Sequence, residues 1–134
     1  MEVYQCIVAV LSHHLNENTF SVEVYENIDS YTMKATVSGN EISVSGNGLF
    51  STFQLLRDEL LKSGFGMRCN AARLNALQSG MMADSDYVYL VQLGEPALTT
   101  DFYSFWEYAN IDKFPNTEEQ QQFAEQWANS IKQG

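Results

Sequence analysis

Cys69, His13 and His14 are the residues whose types could support nucleophilic or metal chemistry in this chain. A thiolate next to an imidazole is an activated nucleophile, so a pair of Cys69 with either histidine would suit a small hydrolase or transferase. Adjacent histidines point in different directions on most backbones, and the second cysteine, Cys6, is distant in sequence, so no metal-ligand spacing is present. We expect no metal and no cofactor, and we expect Cys69 to be a buried structural thiol.

Carboxylates are abundant enough to form pairs without a catalytic reason. The chain holds 17 acids, and neighbours such as Asp84 and Asp86 arise readily in such a composition, which gives a paired-carboxylate mechanism no specific support. The short Gly46–Gly48 segment is a turn pattern, since a phosphate-binding loop is longer. We therefore predict that the protein is not an enzyme and that it acts by binding.

The charge is large and unevenly distributed. The net charge is -10 over 134 residues, and it is concentrated in residues 1–31 and 84–134, whereas residues 32–83 are slightly basic. Such a chain repels nucleic acid and anionic membranes and attracts basic partners. We expect no nucleic-acid or membrane partner, although acidity also serves solubility alone.

Aromatic residues are crowded between positions 102 and 114, where six of them alternate with acids: Phe102, Tyr103, Phe105, Trp106, Tyr108 and Phe114. One short helix cannot bury so many rings on one face, so some cover a neighbouring element or face solvent. Rings provide desolvated anchors and carboxylates orient a basic partner, which suits an interface. A lid over the core is the alternative, and the two roles are compatible.

Length and composition are those of a single globular domain spanning residues 1–134. The hydrophobic fraction of 45% is enough for a core. No apolar run approaches the ~20 residues of a membrane span, and Glu2 stands where a signal peptide would be basic. These features predict a cytoplasmic protein with two reduced cysteines.

The coarse secondary structure predicts an α+β fold with one antiparallel sheet of about five to six strands and two to four helices. Residues 3–11 fit either a helical stripe or a strand, and we favour a helix followed by a turn at 16–18. Alternation predicts strands at 20–24, 31–37 and 41–45. Further strands are expected at 66–72, at 74–77 as its continuation or its hairpin partner, and at 87–93.

Helices are predicted at 52–63, 101–109 and 117–132. Ser51 and Gln54 fit a capping box for the first, which Gly64 ends. Thr99 or Thr100 would cap the second, and Thr117 with Gln120 forms a second capping box. The last helix is expected to dock through its four-residue stripe of Phe123, Trp127 and Ile131.

Two segments, residues 68–82 and 87–94, resemble a family of small bacterial proteins. In this chain they read RCNAARLNALQSGMM and YVYLVQLG. The family's Cys-Asn-Gly-Ala-Arg, Ser-Gly-Met and Leu-Gly motifs are similar, and the likeness extends over about residues 50–108. The chain departs from the pattern at Ala71, where the family has Gly, and at residues 76–78, where it has a Val-Tyr-Pro-like run. Family members occur beside contact-dependent inhibition or other polymorphic toxins and are taken to be immunity proteins.

The resemblance implies a protein that binds and neutralises a cognate contact-dependent growth inhibition toxin, which the acidity suggests is a basic nuclease. We predict that the toxin-binding residues are Asp84, Asp86, Asp101, Tyr103, Trp106 and Glu107. A small cysteine-dependent enzyme using Cys69 and an adaptor or chaperone for a secreted effector are the alternatives. A polar group lies beside Cys69 and consists of Asn70, Arg73 and Asn75. It fits equally well as a binding site or as a hydrogen-bonded framework that holds the Met81–Met82 loop.

Overall fold

The computed structural model describes residues 1–80, 82–98 and 101–132, without the side chains of residues 14 and 15. In this part of the chain the fold is α+β, as predicted. The strands are β1 (Glu2–Val10), β2 (His13–Glu26), β3 (Tyr31–Val37), β4 (Asn40–Gly46), β5 (Phe65–Met67), β6 (Ala76–Leu77), β7 (Tyr87–Leu90) and β8 (Phe102–Ser104). The helices are α1 (Leu49–Lys62) and α2 (Thr117–Lys132), and a 3-10 turn lies at Asn70–Ala72.

Strands β1 to β5 form one curled antiparallel sheet in the order β4-β3-β2-β1-β5. Consecutive hairpins connect the first four strands, and α1 returns the chain to β5 beside β1. The inward face is apolar because alternate residues face it in register, as in the pairs Cys6↔Phe20 and Met33↔Val44. Helix α1 packs on this face through Phe53, Leu56 and Leu60, the stripe predicted from the sequence, and all three are fully buried.

The predicted helix at 3–11 is wrong, since these residues form β1. Alternation is hidden there because both faces of the strand are partly covered. Val8 lies in the core, while Ala9 on the opposite face is equally buried and pairs with Gly66, over which Phe114 packs. A Cβ at Gly66 would collide with the Phe114 ring, so glycine is required at this crossing.

The predicted turn at 16–18 is also wrong, because β2 runs straight through it. The polar residues at these positions are typical of a loop, but Glu17 pairs with Ala9 across the β1–β2 ladder. The actual turn lies at Leu11 and Ser12. Strand β3 has the predicted bounds, and β4 extends its prediction by one residue at each end.

Helix α1 is confirmed but begins three residues before the prediction. Ser51 is an internal residue of its first turn, where its hydroxyl accepts a hydrogen bond from the Gly48 N–H at 3.2 Å. Gly64 follows the helix with a positive φ of 92°, the left-handed geometry that its position predicted.

The second half departs most from the prediction, because its strands form a separate three-stranded sheet in the order β6-β7-β8. The strand predicted at 66–72 ends at Met67, and those predicted at 74–77 and 87–93 are shorter. The helix predicted at 101–109 is wrong: residues 102–104 pair with β7, and aromatic residues favour such pairing. Its predicted caps, Thr99 and Thr100, lie outside the described residues, as does Met81.

Helix α2 has the predicted bounds, but its capping box lies one residue earlier. Asn116 accepts a hydrogen bond from the Glu119 N–H at 2.9 Å, and Glu119 accepts one from the Asn116 N–H at 3.1 Å. The predicted stripe of Phe123, Trp127 and Ile131 is only half-buried, and Gln120 is instead the buried residue. A polar residue therefore anchors this helix.

Candidate functional site

An acidic cleft lies at one end of the main sheet, where β1, β2 and β3 meet the loop before β7. Its volume is about 320 Å³. The residues that line it are Met1, Glu2, Tyr4, Val24, Glu26, Tyr31, Leu49, Asp84 and Asp86. Four of them are carboxylates and none is Lys or Arg, so the cleft concentrates negative charge around two phenol rings.

The two tyrosines of the cleft donate their hydroxyl protons to its carboxylates. Tyr4 donates to Glu2 and, at 3.4 Å, to Asp86, and Tyr31 donates to Glu26 at 3.4 Å. Burial and the hydrogen bond to Glu2 raise the pKa of Tyr4, and burial with the charges of Asp84 and Glu26 raises that of Tyr31. Both phenols are therefore neutral donors at physiological pH.

Asp84 is held rigidly at the wall of the cleft. Its carboxylate accepts a hydrogen bond from the Leu49 N–H at 2.8 Å, at the positive end of the α1 dipole. Its backbone has a φ of 65°, a left-handed conformation that Asp tolerates better than most residues. The Gln78 side chain braces the same loop by accepting from the Asp84 N–H and donating to the carbonyls of Ser85 and Tyr87.

Of the six toxin-binding residues predicted from the sequence, the structure brings Asp84 and Asp86 into this cleft. Trp106 is 9% exposed, so it is a core residue, and it reaches the cleft only by stacking on Tyr4 at a centroid distance of 4.8 Å. Asp101 accepts a hydrogen bond from the Leu98 N–H in the loop before β8. Tyr103 in β8 and Glu107 beyond it are exposed but do not line the cleft.

Sequence reasoning missed Glu2, Tyr4, Glu26 and Tyr31 as members of the site. Glu2 pairs with Val24 across the β1–β2 ladder, and Glu26 pairs with Tyr31 across the β2–β3 ladder, so strand register brings them together. The sequence did indicate an acidic surface in this part of the chain, because the first 31 residues hold five acids and no Lys or Arg.

Cys69 lies in the core and away from the cleft. The side chain is 1% exposed, and burial raises its pKa to about 12, which leaves the thiol protonated at neutral pH. Cys6 is also buried and free, and burial raises its pKa as well. This environment does not favour a thiolate nucleophile.

The polar residues beside Cys69 form a hydrogen-bonded framework. Asn70 donates to the Ser104 carbonyl at 3.0 Å and accepts from Arg73 at 3.2 Å, while Asn75 donates to the Val91 carbonyl at 3.0 Å. These bonds connect the turn at 70–73 to β8 and the segment before β6 to the end of β7, as a structural framework would.

The basic residues of the middle segment are partly directed inward. Arg57 is 1% exposed, and Arg68, also buried, bonds Glu17 at 2.7 Å and the Ile111 carbonyl at 3.1 Å. Arg57 forms an ion pair with Asp58, and Arg68 forms one with Glu17, so carboxylates balance both charges.

Among the described residues, no group of three or more His, Cys, Asp or Glu side chains has the geometry to hold a metal ion. In the same residues, no helix combines the length and the apolar character that a membrane span requires. No protein-family model matches the chain, and no curated protein matches it.

Proposed function

We propose that this protein is an immunity protein that binds a cognate, basic contact-dependent growth inhibition toxin of the nuclease type and neutralises it through the acidic cleft. The observation that carries the proposal is the composition of the cleft wall: the carboxylates of Glu2, Glu26, Asp84 and Asp86 surround Tyr4 and Tyr31. The resemblance of residues 50–108 to immunity-type proteins supplies the biological context.

The electrostatic argument connects the cleft to a nuclease. A surface that binds the phosphate backbone carries clustered Lys and Arg side chains. A rigid group of carboxylates is complementary to such a surface and accelerates association with it. Asp84 is fixed by its bond to Leu49 and the tyrosines are neutral donors, so the cleft is organised before a partner arrives. Such a protein would act in the cytoplasm, where it would bind the toxin before the toxin reaches nucleic acid.

The test is capture of the partner from the native host with tagged protein, followed by an activity assay on the captured protein. We expect a basic protein whose nuclease activity is blocked in the complex and returns on release. Glu26→Gln combined with Asp86→Asn should weaken binding about ten-fold or more, since charge pairs in an interface contribute one to several kcal/mol each. Both substitutions preserve the shape of the side chain.

The matched control is Glu118→Gln combined with Glu125→Gln on the exposed face of α2, which removes the same charge far from the cleft in sequence. This variant should bind with nearly wild-type affinity. A captured partner that has no toxic activity would favour the adaptor or chaperone alternative, and equal losses in both double variants would exclude the cleft as the interface.

A further inference from the structure

The two cysteines of the chain, Cys6 and Cys69, are distant in sequence but meet at the end of the β1–β5 ladder. In this antiparallel pair Val8 faces Met67, and continuing the same register by two residues on each strand brings Cys6 opposite Cys69. Alternation places all four side chains on the face of the sheet that packs in the core. There Cys6 is 4% exposed and Cys69 is 1% exposed, and both thiols are free.

Backbone hydrogen bonds show that the register extends as far as this cysteine pair. The Leu11 N–H donates to the Gly64 carbonyl, and the Arg68 N–H donates to the Ile7 carbonyl, both at 2.9 Å. These are hydrogen-bonded positions of the ladder, so the cysteine pair occupies the next non-hydrogen-bonded position, where opposing Cα atoms are about 4.5 Å apart and side chains lie closest. Cys69 has extended backbone, with φ of −141° and ψ of 164°. The Arg68 carbonyl is bonded outside this ladder, so the cysteine pair lies at its open end.

The two thiols also influence each other electrostatically. Burial raises the pKa of Cys6 most, and the charge of Cys69 raises it further. A disulfide requires Cα atoms about 4.4–6.8 Å apart and side chains that point towards each other. The register provides both, because opposing residues at a non-hydrogen-bonded position are close and share a face.

We propose that Cys6 and Cys69 form a disulfide-bonding site, at which a small disulfide compound such as glutathione disulfide converts the two thiols into an intrachain cross-link. The thiolate of one cysteine attacks a sulfur of glutathione disulfide, so that one glutathione leaves and a mixed disulfide remains. The thiolate of the other cysteine then attacks the protein sulfur of this mixed disulfide and releases the second glutathione. The cysteine pair loses two electrons and two protons, and glutathione disulfide takes them up as it is reduced to two glutathione molecules.

The cross-link connects the main sheet to the segment that supports the small sheet. Cys6 lies in β1, two residues from Tyr4 of the acidic cleft, and Cys69 directly precedes the turn at 70–73. That turn is hydrogen-bonded to the segment that follows β8. The closed loop spans about half of the chain, so the cross-link removes much conformational freedom from the unfolded state and stabilises the folded one. This redox-dependent stability does not depend on the proposed function.

The test is the equilibrium between the dithiol and disulfide forms of the full chain in mixtures of reduced and oxidised glutathione. Because burial slows the exchange, each mixture is approached from reduced and from oxidised protein, and mass spectrometry of non-reduced digests identifies the linked peptides. We expect the native chain to form the cross-link in mixtures at least about ten-fold more reducing than the chain unfolded in urea requires. The cross-linked chain should also melt about 10 °C higher than the reduced chain.

The matched control moves one thiol by one step along the same face of β1. Cys6→Ala combined with Val8→Cys keeps two buried thiols, but the moved thiol lies diagonal to Cys69, with Cα atoms about 7–8 Å apart. That separation is too long for a disulfide. This variant should form the cross-link no more readily in its native state than in urea. Circular dichroism confirms that the variant is folded, and the comparison of native and unfolded wild-type chain stands without it.

Three outcomes would overturn the inference. The native chain could require a mixture as oxidising as the unfolded chain does, or it could give only glutathione adducts or chains linked to one another. The control variant could show the same native preference as wild type, which would mean that the register does not bring the thiols together. None of these outcomes bears on the proposed function, which capture of the partner tests separately.

Discussion

The Arg57 guanidinium and the Gln120 side chain meet in the interior, where Arg57 Nη2 donates to Gln120 Oε1 at 2.6 Å. Their relative exposures are 1% and 2%. The Gln120 amide nitrogen also donates to the carbonyls of Ala71 and Arg73, at 3.0 and 2.8 Å. This single side chain therefore joins α1, α2 and the turn that supports the small sheet.

Replacing Gln120 with Ala should reduce the free energy of unfolding by about 3 kcal/mol. The substitution removes the hydrogen bonds that the buried Arg57 and Gln54 side chains donate to Gln120, and it removes the bond that Gln120 donates to the carbonyl of the buried Ala71. Lost hydrogen bonds to desolvated groups of this kind are costly. Urea denaturation measures the effect. Gln122→Ala, two residues along on the exposed face of the same helix, should change stability by less than about 0.5 kcal/mol. Similar losses in the two variants would show that helix propensity alone is responsible.

The buried Gln120 side chain shows which part of α2 could be predicted from the sequence and which could not. The bounds 117–132 could be predicted because capping residues and acids in the first turn act locally. The buried face could not, because Gln120 is stabilised by Arg57, which lies 63 positions away in the chain. A helix with a half-exposed aromatic stripe and a buried glutamine reverses the usual pattern of amphipathicity.

The cleft could be predicted only in part, because some of its residues are brought together by contacts between distant parts of the chain. Asp84 and Asp86 are neighbours in sequence, so an acidic loop was evident. Glu2 and Glu26 join them only through the β1–β2 pairing, and β1 itself was predicted as a helix because residues on both of its faces are buried. A strand covered on both sides loses the alternation by which strands are recognised.

Cys6 and Cys69 should resist alkylation in the folded protein. Both thiols are buried, and burial raises the pKa of each, to about 12 for Cys69. Iodoacetamide at neutral pH should therefore label the native chain at least about a hundred-fold more slowly than the chain unfolded in urea, as followed by mass spectrometry. Rapid labelling of native Cys69 would instead support the cysteine-dependent enzyme.

Glu17 should contribute to stability at neutral pH but not in acid. Hydrogen bonds from Arg68 Nη1 at 2.7 Å and from the Tyr108 hydroxyl at 2.9 Å lower the pKa of this carboxyl in the folded state. A lowered folded pKa means that the stabilisation is complete above the ordinary value of 4.5 and is lost as the pH falls through the folded value. Glu17→Gln should therefore be less stable than wild type at pH 7, and the difference should shrink below pH 4.5.

Urea denaturation at a series of pH values measures this difference. The control is Glu125→Gln, which removes a carboxylate from the exposed face of α2 and leaves the contacts of Glu17 with Arg68 and Tyr108 in place. A Glu17→Gln effect that persists unchanged in acid would show that packing, rather than the carboxylate charge, connects β2 to Arg68.

Neutralising the cleft should stabilise the folded protein while it weakens binding. Glu2, Glu26, Asp84 and Asp86 surround one small volume without a Lys or Arg among its lining residues, and we expect their mutual repulsion to oppose folding. Glu26→Gln combined with Asp86→Asn should raise the free energy of unfolding by about 0.5 kcal/mol, and added sodium chloride should raise the melting temperature of wild type more than that of the variant. Glu118→Gln combined with Glu125→Gln lacks this effect if the repulsion is local to the cleft. A cleft variant that is less stable than wild type would mean that these carboxylates serve folding. Greater stability together with weaker binding is the trade-off typical of a site that is maintained for a partner.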